Sequence, residues 1–346
     1  MDYRNLGRSG CAVSALALGT MTFGNTTNQD DAFAQLDAFV EAGGTLIDTA
    51  DVYVGGVAET IIGRWLAARP TDITDRVVLA TKGRFPTSEE PNGAGASRRH
   101  LDRALTASLR RLGVDTIDLY QIHAWDPLTP AEETLSFLDG AVRSGRIRYS
   151  GLSNHLGWQI QKTMDTAAAI GADAPVTLQS GYSLLSREIE WEITPACRST
   201  GLGLLTYSPL AAGILTGKYH RATAPVANTR MADPRMGAYL RGRMSEPRTV
   251  AVMDAVRTIA ENHGVTTPHV ALAWLLGRPT VSSVILGART LDQLTANLDV
   301  DLRLTAEETL LLDTVSAPDV DFPYGGAAVA QFTRSIAGGW ASPAAS

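Results

Sequence analysis

Cysteine is nearly missing from this chain: Cys11 and Cys197 are the two in 346 residues. They lie far apart and in no metal-ligand spacing, which argues against a disulfide framework or a structural zinc site and leaves both as small apolar fillers. The histidines (His100, His123, His155, His220, His263, His269) form no HxxxH-type pair, so a metal site gets little support. No apolar run reaches the ~18 residues that a membrane span needs. The start of the chain, MDYRNLGRSG, has no apolar core of a secretory signal. There is no excess of basic charge either. The net charge of −6 argues against general affinity for nucleic acid or anionic membranes. These absences together point to a protein of the reducing cytoplasm.

What is present is a globular composition, 45% hydrophobic and 19% charged, in a chain long enough to bury a substantial core. The segments DYRNL and CAVSALALG, flanking the turn GRSG, read as a hairpin followed by a short strand. Thereafter strand-like and helix-like segments alternate, the pattern of a parallel sheet with crossover helices. The apolar runs LALG, TLID, VVLAT, IDLYQIH, IRYSG, VTLQ, GLLTY and VSSVILG make eight core strands. Helices are expected near 30–42, 58–68, 98–112, 131–144, 156–170, 188–200, 247–263 and 268–276, with one more after the last strand. The clearest is 98–112, with Ser97 as N-cap and Gly113 at its end. For the 268–276 helix Thr267 is the expected cap and Pro268 the first helical residue.

Eight strand–helix units predict a (β/α)8 TIM barrel as one domain spanning 1–346. An open doubly wound sheet would want a GxGxxG turn after its first strand, and none is present. Two stretches depart from the alternation. One is a long loop, about 211–246, without clear periodicity and carrying Lys218, Arg221, Arg230, Arg235, Arg241 and Arg243. A basic flap over an anionic ligand and a solvated surface loop both fit that composition. The other is a Gly/Ala-rich tail, about 319–346, with Phe322, Tyr324 and Trp340 as anchor candidates.

The chemistry sits at strand ends. Asp48 closes TLID, Lys82 closes VVLATK and His123 closes IDLYQIH, while Tyr53 lies in the loop that leaves the Asp48 strand. In a parallel α/β fold these positions gather at one rim. Each alone has an ordinary explanation as cap, ion-pair partner, packing residue or structural histidine. Four at one rim are better explained by function. A tyrosine hydroxyl, with an ordinary pKa near ~10, becomes a useful proton donor when an ammonium stabilises its phenolate. Lys82 is the expected ammonium, Asp48 its orienting partner and His123 the group that aims a carbonyl. That set suits reversible carbonyl reduction.

The blocks YRNLGRSGCAVSALALGTMTFG, IDTADVY, TKG, SRRHLDRALTASLRRLGVDTIDLYQIHAWD, GLSN, LLTYSPLAAGILTGKY and ILGARTLDQLTANL occur in an order that resembles the aldo-keto reductases along nearly the whole chain. The resemblance implies a barrel whose bottom is closed by the N-terminal hairpin. It implies Asp48, Tyr53, Lys82 and His123 as a catalytic tetrad with Tyr53 as general acid. It further implies NADPH or NADP+ as cofactor. Gly19, Thr20, Met21 and Asp48 would be among its contacts. Ser153, Asn154 and Gln179 would bond its carboxamide, and Tyr207 would stack on its ring. Ser208, Pro209, Leu210, Gly213 and Lys218 would lie near its pyrophosphate, and Gly287, Arg289, Gln293 and Asn297 at its adenosine end. Arg289 favours NADPH over NADH, because a guanidinium pairs bidentately with a 2′-phosphate.

A small-molecule carbonyl substrate is the expected partner, in a pocket shaped by Met21, Phe23, Tyr53, Phe85, His123, Trp125 and Tyr182 with the two variable stretches. A homo-oligomer is allowed. The blocks also resemble the potassium-channel β-subunits, which implies a second reading, an NADPH-holding redox sensor with slow turnover. A metal-dependent barrel isomerase or hydrolase would need clustered carboxylate and histidine ligands, which the sequence does not offer.

Overall fold

A computed structural model describes residues 1–219, 237–320 and 322–325. Strands β1 (Tyr3–Asn5) and β2 (Ala12–Ser14) pair antiparallel, with Arg4 opposite Val13. Eight parallel strands follow: β3 (Leu16–Gly19), β4 (Leu46–Asp48), β5 (Val78–Gly83), β6 (Ile117–Ile122), β7 (Ile147–Ser153), β8 (Thr177–Gly181), β9 (Gly203–Tyr207) and β10 (Val281–Gly287). They close in the order β10-β3-β4-β5-β6-β7-β8-β9, the barrel expected from the alternation.

Helices cover the outside. They are α1 (Gln29–Glu41), α2 (Val57–Ala67), the single turn α3 (Thr71–Thr74), α4 (Arg98–Leu112), α5 (Ala131–Arg143), α6 (Gly157–Ile170) and α7 (Ile193–Thr200). After β9 come α8 (Gly237–Ser245), α9 (Pro247–His263) and α10 (Thr267–Leu276), and after β10 come α11 (Leu291–Leu298) and α12 (Ala306–Ser316). Helix α4 has the ends expected of it. Ser97 Oγ accepts the His100 N–H at 3.3 Å, and Gly113 takes the left-handed φ of 68° that glycine tolerates best.

Inside the barrel, Ala17, Leu46, Ala80, Leu119, Leu205 and Ile285 form a cluster with Leu6 and Val13 of the hairpin. The hairpin therefore closes the end of the barrel opposite the strand carboxyl termini. Its turn lies so close to the sheet that a Cβ on Gly7 would meet the Val176 carbonyl at 2.0 Å. Glycine is required there, with its positive φ of 57°. A second, larger core fills the layer between strands and helices, with Trp65, Trp274, Phe39 and Tyr120 fully buried.

Some boundaries differ from expectation. The 188–200 helix is two pieces, a 3-10 turn at Glu188–Glu190 and α7. The break follows from Glu190, whose carboxylate is held by the Tyr182 hydroxyl at 2.6 Å and by Arg187 at 2.8 and 2.7 Å. In α10 the cap is Thr266, which takes the extended backbone (φ −86°, ψ 156°), and Thr267 is already helical. Proline is tolerated one place later because the first-turn N–H groups have no helical partner. Helix α12 is additional to the expected set, although its capping box, Thr305 with Glu308, is a sequence signal.

The stretch read as one long loop contains a 3-10 segment, Ala211–Thr216, and helix α8. Arg221, Arg230 and Arg235 lie outside the described residues, as does Trp340 of the tail. Tyr324 of the tail stacks on Trp191, ring centres 5.6 Å apart. No described helix is long and apolar enough to cross a membrane.

Candidate active site

Strand alternation builds the site. Leu46, Ala80 and Leu119 point into the barrel, so Asp48, Lys82 and Gln121, two residues on, point the same way one layer higher. Register sets Lys82 beside Gln121 and Asp48 beside Ala80, one step below Lys82 on the same inward face. The loop after β4 then turns back over this layer. It is pinned by Thr49 N–H to the Ala80 carbonyl and Asp51 N–H to the Lys82 carbonyl, at 2.9 and 3.1 Å. The following turn, Tyr53–Gly56, has φ of 51° at Val54 and 63° at Gly55, and it lays Tyr53 over Lys82.

Lys82 is wholly buried, and each of its ammonium hydrogens has an acceptor. Nζ donates to Asp48 Oδ2 at 2.6 Å, to the Thr49 carbonyl at 2.8 Å and to the Tyr53 hydroxyl oxygen at 3.3 Å. Asp48 is held from its other side, where Oδ1 accepts the amides of Gln179 (2.8 Å) and Gln121 (3.3 Å). Burial alone would push the Lys82 ammonium down, but the Asp48 charge, Tyr53 and their hydrogen bonds reverse this and hold it above the ordinary lysine value.

Burial also acts on Tyr53, and here it wins. Lys82 draws the phenol downward, as expected from the sequence, yet desolvation is larger and the net shift is upward. The direction expected from the Lys82 ammonium alone is therefore corrected: without cofactor, Tyr53 is a protonated donor through the neutral range.

His123 lies edge-on to Tyr53, ring centres 6.1 Å apart. Burial, then the charges of Lys82 and Arg84, lower its pKa to about 3, so the imidazole is neutral. Its Nδ1 is buried and has no hydrogen-bond partner among the described residues. Its backbone carbonyl accepts Asn154 Nδ2 at 2.9 Å. Among the described residues no group of three or more His, Cys, Asp or Glu side chains could hold a metal.

The residues considered for a cofactor gather along one side of this rim. Asn154 (φ 53°) accepts the Tyr207 hydroxyl at 2.8 Å, and its Nδ2 also donates to Ser153 Oγ at 3.0 Å. Thr20 bonds the Asp48 carbonyl through N–H and hydroxyl, both at 3.0 Å, next to Gly19 and the exposed Met21. Beyond Tyr207 the backbone is left-handed at Ser208, Ala211, Ala212 and Gly213, a concentration of strain that favours functional loops. A Cβ on Gly213 would meet the Lys218 ammonium at 2.9 Å, so that cation lies against the turn made by Leu210 and its neighbours.

Next along the rim, where β10 lies between β9 and β3, Thr22 and Thr27 hydroxyls bond the carbonyls of Ala288 (3.0 Å) and Arg289 (3.3 Å), and Gln293 Oε1 accepts the Arg289 N–H at 3.1 Å. Gly287 stands open beside them, with no atom within 4 Å of the place a Cβ would take. Asn297 lies in α11. The Tyr207 ring bonded to the Asn154 amide, with the Lys218 ammonium against the turn beyond it, fits an anionic nucleotide.

The residues considered for a substrate pocket divide. Phe85 packs on His123, centres 4.5 Å apart. Trp125 does not. It packs on His155 (5.6 Å) and Trp158 (5.5 Å). Phe23 is 0% exposed within the outer core, and Tyr182 is bonded to Glu190 and packed on Trp274. Neither faces an open pocket, because loop aromatics can turn inward as readily as toward a ligand.

Two polar residues behind the site are absent from the set expected on sequence. Gln121 was detectable, since it lies two residues before His123 on the same face of β6. Among the described residues neither buried oxygen of Asp51 has a hydrogen-bond partner. Burial, then the Glu59 charge, push Asp51 up to about 7, against the pull of Arg111 and Lys82. A carboxyl raised above its unfolded value of 3.8 contributes stability at low pH that is lost as pH rises through about 7. Asp51→Asn is therefore expected to gain stability relative to the wild type as pH rises from about 4 to about 7. Urea midpoints across that window check it, and a constant difference would contradict it.

Comparison with known proteins agrees with this architecture. A sequence model of the aldo/keto reductase family matches residues 15–317. The uncharacterized oxidoreductase YrpG of Bacillus subtilis is 36% identical over 324 residues, covering 91% of this chain and 96% of that protein. A probable voltage-gated potassium channel subunit beta of rice is 38% identical, covering 89% and 94%. The versiconal hemiacetal acetate reductase of Aspergillus parasiticus is 32% identical, covering 93% and 99%.

Proposed function

The chain belongs to the aldo/keto reductase family of oxidoreductases, and from that premise we propose that it is an NADPH-dependent reductase of aldehydes or ketones, running in reverse when NADP+ is abundant. One observation carries the reading. A single buried ammonium, Lys82 Nζ, is bonded at once to the Asp48 carboxylate and to the Tyr53 hydroxyl.

NADPH, when bound, supplies the hydride that reaches the carbonyl carbon. Tyr53 gives its hydroxyl proton to the carbonyl oxygen. Lys82 stabilises the phenolate left on Tyr53, and Asp48 keeps Lys82 charged and aimed. His123, neutral, donates a hydrogen bond to the carbonyl oxygen and so orients it. Ser153, Asn154 and Gln179 would hold the carboxamide, the Tyr207 ring the nicotinamide, and Lys218 the pyrophosphate.

Loss of NADPH absorbance on mixing with a panel of aldehydes, ketones and keto-sugars tests the activity. The similarity to a channel subunit beta favours a second reading, a redox sensor that holds NADPH and turns over slowly. Rapid multiple turnover decides for the enzyme, and tight retention with a single oxidation decides for the sensor.

Arg289 is assigned to the 2′-phosphate. Arg289→Ala is expected to weaken NADPH binding by roughly 10-fold or more while leaving NADH nearly unchanged, since a charge-assisted bond contributes about 1.5–3 kcal/mol. Fluorescence titration of both cofactors measures it. An equal loss for the two would remove Arg289 from that role.

A further inference from the structure

Arg84 has no part in the chemistry above, yet it stands beside it. It leaves the end of β5 two residues after Lys82, with φ of 131°, a conformation that residues with a Cβ rarely adopt and that persists where the surroundings impose it. Its carbonyl accepts the Gly95 N–H at 2.8 Å, fixing the strained residue from behind. Its Nη2 donates to the Trp125 carbonyl at 3.0 Å, and its guanidinium lies over the Phe85 ring, Cζ 5.3 Å from the ring centre. Phe85 is the ring that packs on His123. The cation is thus one aromatic ring from the imidazole that orients the carbonyl.

Among the described residues Arg84 has no counter-ion within ion-pair distance, and its Nε is buried without a hydrogen-bond partner. The acid that feels its charge, Asp126, already accepts the Ala96 N–H at 2.7 Å, the Thr129 hydroxyl at 2.7 Å and the Leu128 N–H at 3.0 Å. Lys82 has its three donors occupied, and His123 is neutral. Arg84 is left as the cation beside His123 with donors to give.

Resting on the reading of the protein as a carbonyl reductase, we propose that Arg84 determines specificity and that the preferred substrates are aldehydes or ketones bearing an oxyanion group, a carboxylate or a phosphate. The planar guanidinium matches either group through paired N–H donors. A half-buried cation that is already desolvated and held by a carbonyl and a ring loses little freedom on binding. The anion would sit on the Phe85 side of His123 while the carbonyl lies between His123 and Tyr53.

The test uses matched probes that differ in charge: 4-carboxybenzaldehyde against its methyl ester, and glyceraldehyde 3-phosphate against glyceraldehyde. The wild type should favour the anionic member of at least one pair in kcat/KM, and which pair tells carboxylate from phosphate. Arg84→Met keeps a Cβ at this φ and so adds no backbone strain. It should lower kcat/KM for the favoured anion by roughly 10- to 100-fold and leave its neutral twin little changed. Arg84→Lys, which keeps charge but not the fork, should fall between.

Equal turnover of both members by the wild type, or equal losses in Arg84→Met, would overturn the proposal. Tryptophan fluorescence titration with 4-methylbenzoate and its methyl ester, which carry no alcohol to oxidise, in the presence of NADP+, reads the anion preference without turnover. A preference that is lost in Arg84→Met, seen without catalysis, supports Arg84 and sinks the reductase reading. Catalysis without any preference for anions does the reverse.

Discussion

Tyr53→Phe is expected to lower carbonyl reduction by roughly 10²- to 10⁴-fold, the range that a positioned general acid contributes, with NADPH binding and folding stability nearly unchanged. The ring stays in its place against His123 and over the Lys82 ammonium, whose nitrogen lies 5.0 Å from its centre. What goes is one oxygen, the third acceptor of Lys82 Nζ, and the weakest of the three at 3.3 Å. Lys82 keeps Asp48 and the Thr49 carbonyl. The loss should therefore fall on the chemical step, with kcat reduced and the cofactor titration unmoved.

The same residue sets a pH signature. The Tyr53 phenol is raised by burial against the pull of Lys82, so the donor is present below that raised value and lost above it. Reduction should hold steady through neutral pH and fall only in alkali, while alcohol oxidation, which needs the phenolate, should climb. His123, lowered to about 3, should leave no inflection near neutrality. An inflection near pH ~6.5, the ordinary histidine value, would contradict the neutral imidazole. Wild-type activity in Tyr53→Phe would remove Tyr53 from the role of acid.

Much of this was legible in the chain because a barrel strand is short and apolar and its last inward residue is polar. TLID, VVLATK and IDLYQIH announce both the strand and the side chain it delivers. Ser97 and Gly113 announce both ends of α4. Where the sequence misled, the cause was mostly tertiary. The capping box Thr305–Glu308 is the exception, a local signal that marks α12 without any help from packing. The break before α7 depends on Arg187 and Tyr182 capturing Glu190, which no local pattern reveals. The upward shift of Tyr53 depends on burial, and charge proximity alone gives the opposite sign. Phe23 and Tyr182 went inward, and Trp125 turned toward Trp158, because an aromatic residue in a loop carries no mark of direction. Arg84 was invisible for a related reason. Its interest lies in what it does not touch.

Asp48→Asn should be among the most destabilising single changes in the molecule, costing about 3–5 kcal/mol, the loss typical when one partner of a buried ion pair is removed. Lys82 and Asp48 have side-chain exposures of 0% and 3%. An amide at position 48 keeps one acceptor, but its NH2 then faces either the Lys82 ammonium or the amides of Gln179 and Gln121, donor against donor. The ammonium remains buried with its main compensation gone. Burial, which opposes the charge, would then govern Lys82 and pull its pKa below the unfolded value. A lysine lowered in this way destabilises the fold at pH values where the unfolded chain binds its proton, so the deficit should shrink as pH rises into alkali.

Lys82→Met in the same background removes the orphaned charge. The double variant Asp48→Asn/Lys82→Met should be more stable than Asp48→Asn alone, though devoid of activity. Urea midpoints of the wild type, both singles and the double complete the cycle. The exposed pair Arg143–Asp139, with Arg143 70% exposed, is the control, where Arg143→Ala should cost at most about 1 kcal/mol. If Asp48→Asn costs no more than that control, the buried pair is not what the geometry says it is. If it costs what is expected, the pair is a stability liability of the inner barrel, because an apolar pair of equal volume would need no such compensation. Its position under the Tyr53 hydroxyl, with every donor of Lys82 directed, then finds its reason in the chemistry at the rim rather than in the fold.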